Sequence, residues 1–419
     1  MKQFLGYLLI LLISWGSGSP LFAQTPSPTC DGSRYLQPVF AQVDTTFNVF
    51  FGVNTTYSGD VDSLYMDVYQ PVGDAATQRP LLILAFGGSF VVGQREDMAP
   101  LCHYYAQHGY VTATIDYRLF TGPFFPFPDS VVFADVVVKA VGDMKAAVRF
   151  FREDAATVNQ FKIDSQLIMV GGGSAGAITA LQVAYMDSLD ALPPYLQTAV
   201  QNNGGFEGNT NTAMSHNSSV QGVLNLSGAL GSASWMDAGD APVFSVHDDG
   251  DNIVPYGQGY GTFVNQPISY LEGSQVITDT AIALGIPNQL ITIPNSSGHV
   301  SYVNDTLWQD SIFGSSLTFL ETIVCPNVMN TIEIPTTAPS VLVYPNPAAE
   351  QVHLQLEGLL ENTHYAVYNT VGQCVKIGSL EQHLSTISCQ QWPAGYYRIV
   401  VWQGEHSSKK VTWKSLIVR

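Results

Sequence analysis

The stretch Gly171-Gly-Gly-Ser-Ala-Gly-Ala177 sets one serine hydroxyl among glycines and small residues. An apolar run, Leu167 to Val170, leads into it, and a small-residue segment that reads as helix follows. The spacing Gly172-x-Ser174-x-Gly176 is that of a nucleophile elbow, a sharp strand-to-helix turn that exposes the hydroxyl. Such a turn occupies a strained backbone region, and glycines two before and two after it let neighbouring backbone approach. The N–H of Ala175 would open the helix and could face a developing oxyanion. The alternative is a plain glycine-rich loop.

Serine is a poor nucleophile without a base, and the base needs an acid to orient it. Around such an elbow the expected chain order is Ser, then Asp or Glu, then His. Of nine histidines, His353, His364, His383 and His406 lie in a β-patterned tail. His103 and His108 precede the serine, and His216 and His247 leave little room for an acid loop between. His299 remains, on the loop Asn295-Ser-Ser-Gly-His-Val300 directly after a strand. Asp248-Asp-Gly-Asp-Asn-Ile-Val-Pro-Tyr256 offers three aspartates. Asp251 is preferred as the acid because Val254-Pro255 follows where the chain should turn back, and Asp249 is the fallback. The unused pair would serve as turn formers. Gly87 and Gly88, after the run Leu81 to Phe86, offer unhindered N–H groups as a second oxyanion donor beside Ala175. A tight turn is the other reading of that pair. Phe86 and Phe90 flank this loop as candidate pocket residues. Phe124 and Phe125, with Phe120 and Phe127, would line an acyl pocket, stack on a sugar or aromatic acid, or simply pack the loop.

These residues need a scaffold. Phe47 to Val53 and Ser63 to Tyr69 alternate as strands. Leu81 to Phe86 is continuously apolar, as in a parallel strand buried on both faces. Helices are expected from Met98 to His108, through Val138, Val141, Met144, Ala147, Val148 and Phe151, and from Trp308 to Val324. Further strands are expected at Tyr110 to Tyr117, Val220 to Leu226, Pro242 to His247 and Gln289 to Ile293. The alternation predicts an α/β fold: a mostly parallel central sheet with helices on both faces. Ala191 to Asn217 breaks the rhythm and reads as an insertion over the carboxyl edge of the sheet, or as a surface excursion. Residues 329–340 read as a linker, and 341–419 as a small all-β sandwich.

The chain has 419 residues and a net charge of -18. No Lys or Arg occurs between Lys162 and Lys376, a stretch holding all three candidate residues. Nucleic acid and other polyanions are poor partners for such a surface, and a neutral substrate is favoured. Residues 1–23 read as an export signal, with Lys2, an apolar core from Phe4 to Trp15 and Leu21-Phe-Ala23 before the cut. The rest of the chain, 24–328 for the catalytic domain onwards, contains no run of membrane-spanning length. Among five cysteines, Cys30 and Cys325 flank that domain and would tie its ends as a disulfide, unless both are unpaired. Cys374 and Cys389 could pair in the tail, and Cys102 is left over. No spacing suggests a metal site.

Taken as a set, Phe86-Gly-Gly-Ser-Phe90, Asp116-Tyr-Arg-Leu119, Phe127-Pro128, Asp143 with Arg149, Gly172-Gly-Ser-Ala-Gly-Ala177 and Asp251-Asn-Ile-Val-Pro255 resemble the α/β-hydrolase esterases and lipases. The branch is near the hormone-sensitive-lipase type and the bacterial carboxylesterases and feruloyl esterases. The resemblance covers roughly Cys30 to Cys325. It implies carboxylic-ester hydrolysis through an acyl-serine, with neither metal nor organic cofactor. Members usually carry His before the two glycines, and here Phe86 stands there. The tail motifs Val343-Tyr-Pro-Asn-Pro347, Tyr368-Asn-Thr-Val-Gly-Gln373, Pro393-Ala-Gly-Tyr-Tyr397 and Lys409-Lys-Val411 resemble the C-terminal sorting domain of the type IX secretion system of Bacteroidetes. That implies handling by the type IX machinery and release to the cell surface or medium. The expected substrate is a small-molecule or glycan-linked ester. The competing expectations are a peptidase of the prolyl-oligopeptidase kind and a non-catalytic surface binding protein of the same fold.

Overall fold

The computed structural model describes residues 30–210, 212–304, 306–326, 340–357, 363–369, 374–380, 382–403 and 410–418. The expected export signal and most of the expected linker lie outside the described residues. The chain divides into two compact units, Met1–Val328 and Met329–Arg419. Each is treated by itself.

In the first unit the strands are β1 (Val43–Thr55), β2 (Val61–Pro71), β3 (Arg79–Ala85), β4 (Val111–Ile115), β5 (Ile163–Gly173), β6 (Val223–Leu226), β7 (Ala229–Leu230), β8 (Val243–Asp248), β9 (Gln258–Phe263), β10 (Gln266–Gly273) and β11 (Asn288–Ile293). The helices are α1 (Ala99–Gln107), α2 (Ser130–Ala156), α3 (Ala175–Tyr185), α4 (Pro194–Asn202), α5 (Ser274–Leu284) and α6 (Thr306–Val324). Eight strands form one sheet in the order β1-β2-β4-β3-β5-β6-β8-β11. β1 and β2 are antiparallel at one edge, and the six strands from β4 to β11 run parallel.

The alternation of side chains along β3 shows why helices cover both faces. Leu81, Ile83 and Ala85 pack into one core with residues of α2, α3, α4 and α5. Leu82 and Leu84 pack into the other with residues of α1 and α6. α2 begins where Asp129 accepts the N–H groups of Val131 and Val132, a side-chain cap.

The segment Ala191 to Asn217 is not the irregular excursion one reading allowed. It holds α4, whose Leu196, Ala199 and Val200 are buried, and its remainder is tied to α2 by cations. Arg149 donates to the carbonyls of Glu207, Thr210 and Thr212, Lys145 to that of Phe206, and Arg152 to those of Asn217 and Ser219. Asp143 pairs not with Arg149 but with Arg118, at 2.9 Å, and accepts the Thr210 hydroxyl.

The second unit contains β12 (Ser340–Tyr344), β13 (Gln351–Glu357), β14 (Thr363–Asn369), β15 (Cys374–Ser379), β16 (Leu384–Ser388), β17 (Gly395–Gln403) and β18 (Lys410–Val418). Sheets β12-β13-β16 and β15-β14-β17-β18 share one core that includes Val352, Leu354, Val367, Ile399 and Leu416, which makes a β-sandwich. Cys389 is a free buried thiol, and the side chain of Cys374, its expected partner, lies outside the described residues. Cys102 is free and fully buried on α1.

Cys30 and Cys325 form a disulfide across a sequence separation of 295 residues. Closing a long loop lowers the entropy of the unfolded chain and is typically worth about 2–4 kcal/mol. Cys325→Ser is therefore expected to lower the melting temperature by about 5–15 °C. Thermal melts with and without reductant test this: reductant should shift the wild type and leave the variant unmoved.

Candidate active site

Ser174 sits at the end of β5, with φ 53° and ψ -116°, in backbone territory that costs a non-glycine residue energy. Its surroundings hold it there. Ser174 N–H donates to the Leu226 carbonyl at 2.8 Å. A Cβ built on Gly172 would lie 2.3 Å from the Ala85 carbonyl oxygen, and one on Gly176 would lie 2.0 Å from it. Gly173 has open space at its Cβ position. The two glycines at the spacing read from sequence are thus the two where β3 abuts the turn.

His299 Nε2 lies 2.7 Å from Ser174 Oγ, and His299 Nδ1 lies 2.6 Å from Asp251 Oδ2. With the carboxylate ionised, Nδ1–H donates to it, and Nε2 is free to accept the serine proton. The Asp251 side chain is fully buried, whereas that of His299 is about one-fifth exposed. Burial pushes the Asp251 carboxyl up, but hydrogen bonds from His247 and His299 and the N–H of Ile253 overcome it and hold the pKa at about 2. Asp251 Oδ1 accepts the N–H groups of Ile253 and Val254 at 2.9 and 3.1 Å.

The other two aspartates of the cluster hold the histidine loop. Asp248 accepts the N–H and hydroxyl of Ser301. Asp249, the fallback acid, accepts the N–H groups of Asn295 and Ser296 at 3.0 and 3.1 Å. The remaining nearby histidines stay away from the serine. His216 bonds Glu153 at 2.7 Å, and His247 is buried behind Asp251.

Gly87 and Gly88 face the elbow. A Cβ on Gly87 would meet the Gly173 carbonyl oxygen at 3.1 Å and Ser174 Cβ at 3.2 Å. Gly88, Ser89 and Phe90 have φ of 122°, 54° and 61°, so this loop is held in left-handed backbone for three residues. Ala175 is the first residue of α3, where the N–H has no partner within the helix.

Beside Ser174 opens a cavity of about 120 Å³. Its wall includes Phe90, Phe133, Val137, Ile178, Gln182, Leu196, Trp235, Ile268 and Leu271, and no charged side chain. Three of the four aromatic candidates are not in it. Phe86 is buried and stacks on Tyr117 at 4.3 Å, with the Tyr117 hydroxyl donating to the Phe86 carbonyl, so it props the loop after β3 from behind. Phe124 packs edge-on against Phe120, and Phe125 is 93% exposed. Phe124 and Phe127 lie against Phe263, which also meets Phe133 of the cavity wall.

Sequence reasoning missed the hairpin β9–β10, α4 and the stripe of Ile178 and Gln182 on α3 with Met186 just past its end. That stripe was available from spacing, since residues four apart continue the face that carries Ser174. Among the described residues no group of three or more His, Cys, Asp or Glu could hold a metal ion, and no helix is long and apolar enough to cross a membrane.

Residues 66–231 match the BD-FAE family, and residues 342–418 match the Secretion system C-terminal sorting domain. The versiconal hemiacetal acetate esterase of Dothistroma septosporum is 28% identical over 127 residues, which are 30% of this chain and 34% of that protein. The chain thus spans about a third of the length of the curated relative it matches. Among solved structures, the propionate-bound esterase Est2 of the planctomycete Thermogutta terrifontis is similar at a TM-score of 0.44 and 21% identity, covering 64% of this chain and 92% of that one. The same organism's esterase 2 phosphorylated by paraoxon gives 0.45 and 21%, with 64% and 93% covered.

The pKa of Asp251 is held below the ordinary 3.8, so between about pH 4 and pH 2 the unfolded chain binds a proton that the folded chain does not. Asp251 therefore stabilises the fold above that window, and the contribution is lost as pH falls through it. Urea midpoints measured from pH 6 to pH 2 are expected to drop less steeply for Asp251→Asn than for wild type. Parallel curves would show that Asp251 contributes nothing to acid sensitivity.

Proposed function

We propose that this α/β-hydrolase, with a BD-FAE domain and a C-terminal sorting domain, is an exported serine carboxylesterase acting on a neutral ester. The observation that carries the reading is the unbroken hydrogen-bonded line Asp251–His299–Ser174 opening onto an uncharged, apolar cavity.

Ser174 Oγ attacks the ester carbonyl carbon as His299 Nε2 takes the hydroxyl proton. The carbonyl oxygen becomes an oxyanion between the Ala175 N–H and the Gly87–Gly88 loop. His299 returns the proton to the departing alkoxide, and the acyl group stays on Ser174. Water then enters by the same route, with His299 as base, and frees the acid. Asp251 keeps the imidazole in the tautomer this needs and stabilises the imidazolium formed on the way.

The cavity takes the acyl group. Its volume of about 120 Å³ compares with roughly 150 Å³ for an engineered apolar cavity that admits benzene. The fit is to compact acyl groups, from acetyl to a single ring or about six carbons. The absence of a charged wall residue argues against recognition of a substrate carboxylate or a peptide amine there. The alcohol portion stays outside the cavity, and Phe124 and Phe127, which reach the wall residue Phe133 through Phe263, are the aromatic rings we assign to it. The sorting domain supports delivery through the type IX secretion machinery to the cell surface or beyond.

Hydrolysis of 4-nitrophenyl esters of two to sixteen carbons tests the reading. Activity is expected to be greatest at two to six carbons and to fall at least about tenfold beyond eight, because the longer chain leaves the cavity. Ser174→Ala should lower kcat by at least about ten-thousandfold. Equal turnover by wild type and Ser174→Ala would discard the serine mechanism.

A further inference from the structure

His247 is absent from the steps above, yet it is fully buried near the end of β8 and lies against the carboxylate of the proposed triad. Its Nε2 lies 3.1 Å from the Val254 carbonyl oxygen and 3.3 Å from Asp251 Oδ2. Both are acceptors, so Nε2 carries a proton, which it donates to the Val254 carbonyl with Asp251 Oδ2 close beside it. Nδ1 is then the acceptor for the Ser274 hydroxyl, 2.7 Å away. Ser274 Oγ in turn accepts from Asn225 Nδ2 at 3.0 Å, while Asn225 Oδ1 accepts the Gly228 N–H at 2.8 Å. Proton placement is determined at every link, and every dipole points towards Asp251. A buried chain of this kind polarises along its length and strengthens its last bond.

The geometry points to His247 as a positioning residue: a second, permanently donating imidazole that fixes the plane of the Asp251 carboxylate so that Oδ2 meets His299 Nδ1. The inference rests on the reading of Ser174, His299 and Asp251 as a triad. Asp251 receives two backbone N–H groups on Oδ1 and the His299 N–H on Oδ2, and the His247 Nε2–H stands 3.3 Å from that same Oδ2, so the carboxylate is held from three sides. Held in this way, the carboxylate keeps His299 in register with Ser174. A core histidine that merely satisfies its own polar atoms would have no need of the same oxygen that His299 uses. The low pKa of Asp251 accords with this arrangement, since a donor from each imidazole stabilises the ionised form.

The test compares His247→Phe, which keeps the ring volume without a donor, with His247→Gln, whose side-chain amide N–H reaches about the same point as Nε2–H. Both are assayed on 4-nitrophenyl butyrate, with melting curves alongside. For His247→Phe, kcat is expected to fall about tenfold to a hundredfold with KM changed less than about threefold, as for lost orientation of a general base. His247→Gln should recover kcat to within about threefold of wild type. Unchanged kcat in His247→Phe, or equal damage in both variants with a matching rise in KM, would overturn the assignment. Should His247→Phe not fold, Ser274→Ala cuts the chain one link earlier and is expected to lower kcat about threefold to tenfold at constant KM. No change in Ser274→Ala would then overturn it. An inactive wild type would instead strike at the esterase reading itself.

Discussion

The architecture of the first unit turns on one close approach: the carbonyl oxygen of Ala85, at the end of β3, against the turn between β5 and α3. Any side chain at Gly172 or Gly176 would overlap that oxygen at 2.3 or 2.0 Å. The contact forces glycine at both positions and confines the turn. Ser174 is left in left-handed backbone that its own side chain does not favour. The strain is held by the Leu226 carbonyl on one side and by β3 on the other. Three consequences follow. The hydroxyl stands clear of the sheet. The loop after β3 is brought against Ser174 Cβ. α3 leaves in a direction that carries Ile178, Gln182 and Met186 along the floor of the cavity.

A second constraint governs the histidine. A loop between β11 and α6 has little sheet to anchor it, so the anchoring is done by charge. Asp248 holds Ser301, Asp249 holds Asn295 and Ser296, and Asp251 holds His299 itself. Three aspartates within four residues would repel one another if they shared solvent, but each is directed to a different part of one loop. The sequence Asp-Asp-Gly-Asp is thus a single device for placing one imidazole. Gly250 N–H completes it by donating to the Ser296 carbonyl.

The sheet, both faces of helices and the three residues that meet at the serine were legible because local rules govern them. Continuous apolar runs mark buried parallel strands, and a chain-order rule leaves one histidine and one short acidic loop to choose from. What was illegible lies in the walls of the cavity, where tertiary contacts override local pattern. α4 buries only three apolar residues between proline and asparagine-rich flanks, and its neighbouring loop is held by α2 rather than by its own sequence. The hairpin β9–β10 turns at Val264 and Asn265, both at positive φ, where a valine gives no turn signal. Within it Gly261 stands where a Cβ would meet Leu271 at 2.7 Å, so the expected alternation of side chains is missing from that strand. The place of the aromatic rings was left open for a related reason. Composition identified Phe86, Phe124 and Phe125 as apolar, but only the path of the backbone decides whether a ring faces the cavity, the core or the rim.

The distribution of cations ties fold and site together. The first unit has no Lys or Arg after Lys162, so its basic side chains come from the earlier half of the sequence. Three of those on α2, Lys145, Arg149 and Arg152, are spent on main-chain carbonyls of the segment that follows α4. Burying a guanidinium costs free energy unless its donors are satisfied, and a loop whose carbonyls turn inward satisfies several at once. These cations are therefore consumed in fastening the segment behind α4, a helix whose Leu196 helps to line the cavity. An uncharged cavity and an ordered cover are two results of one allocation of charge.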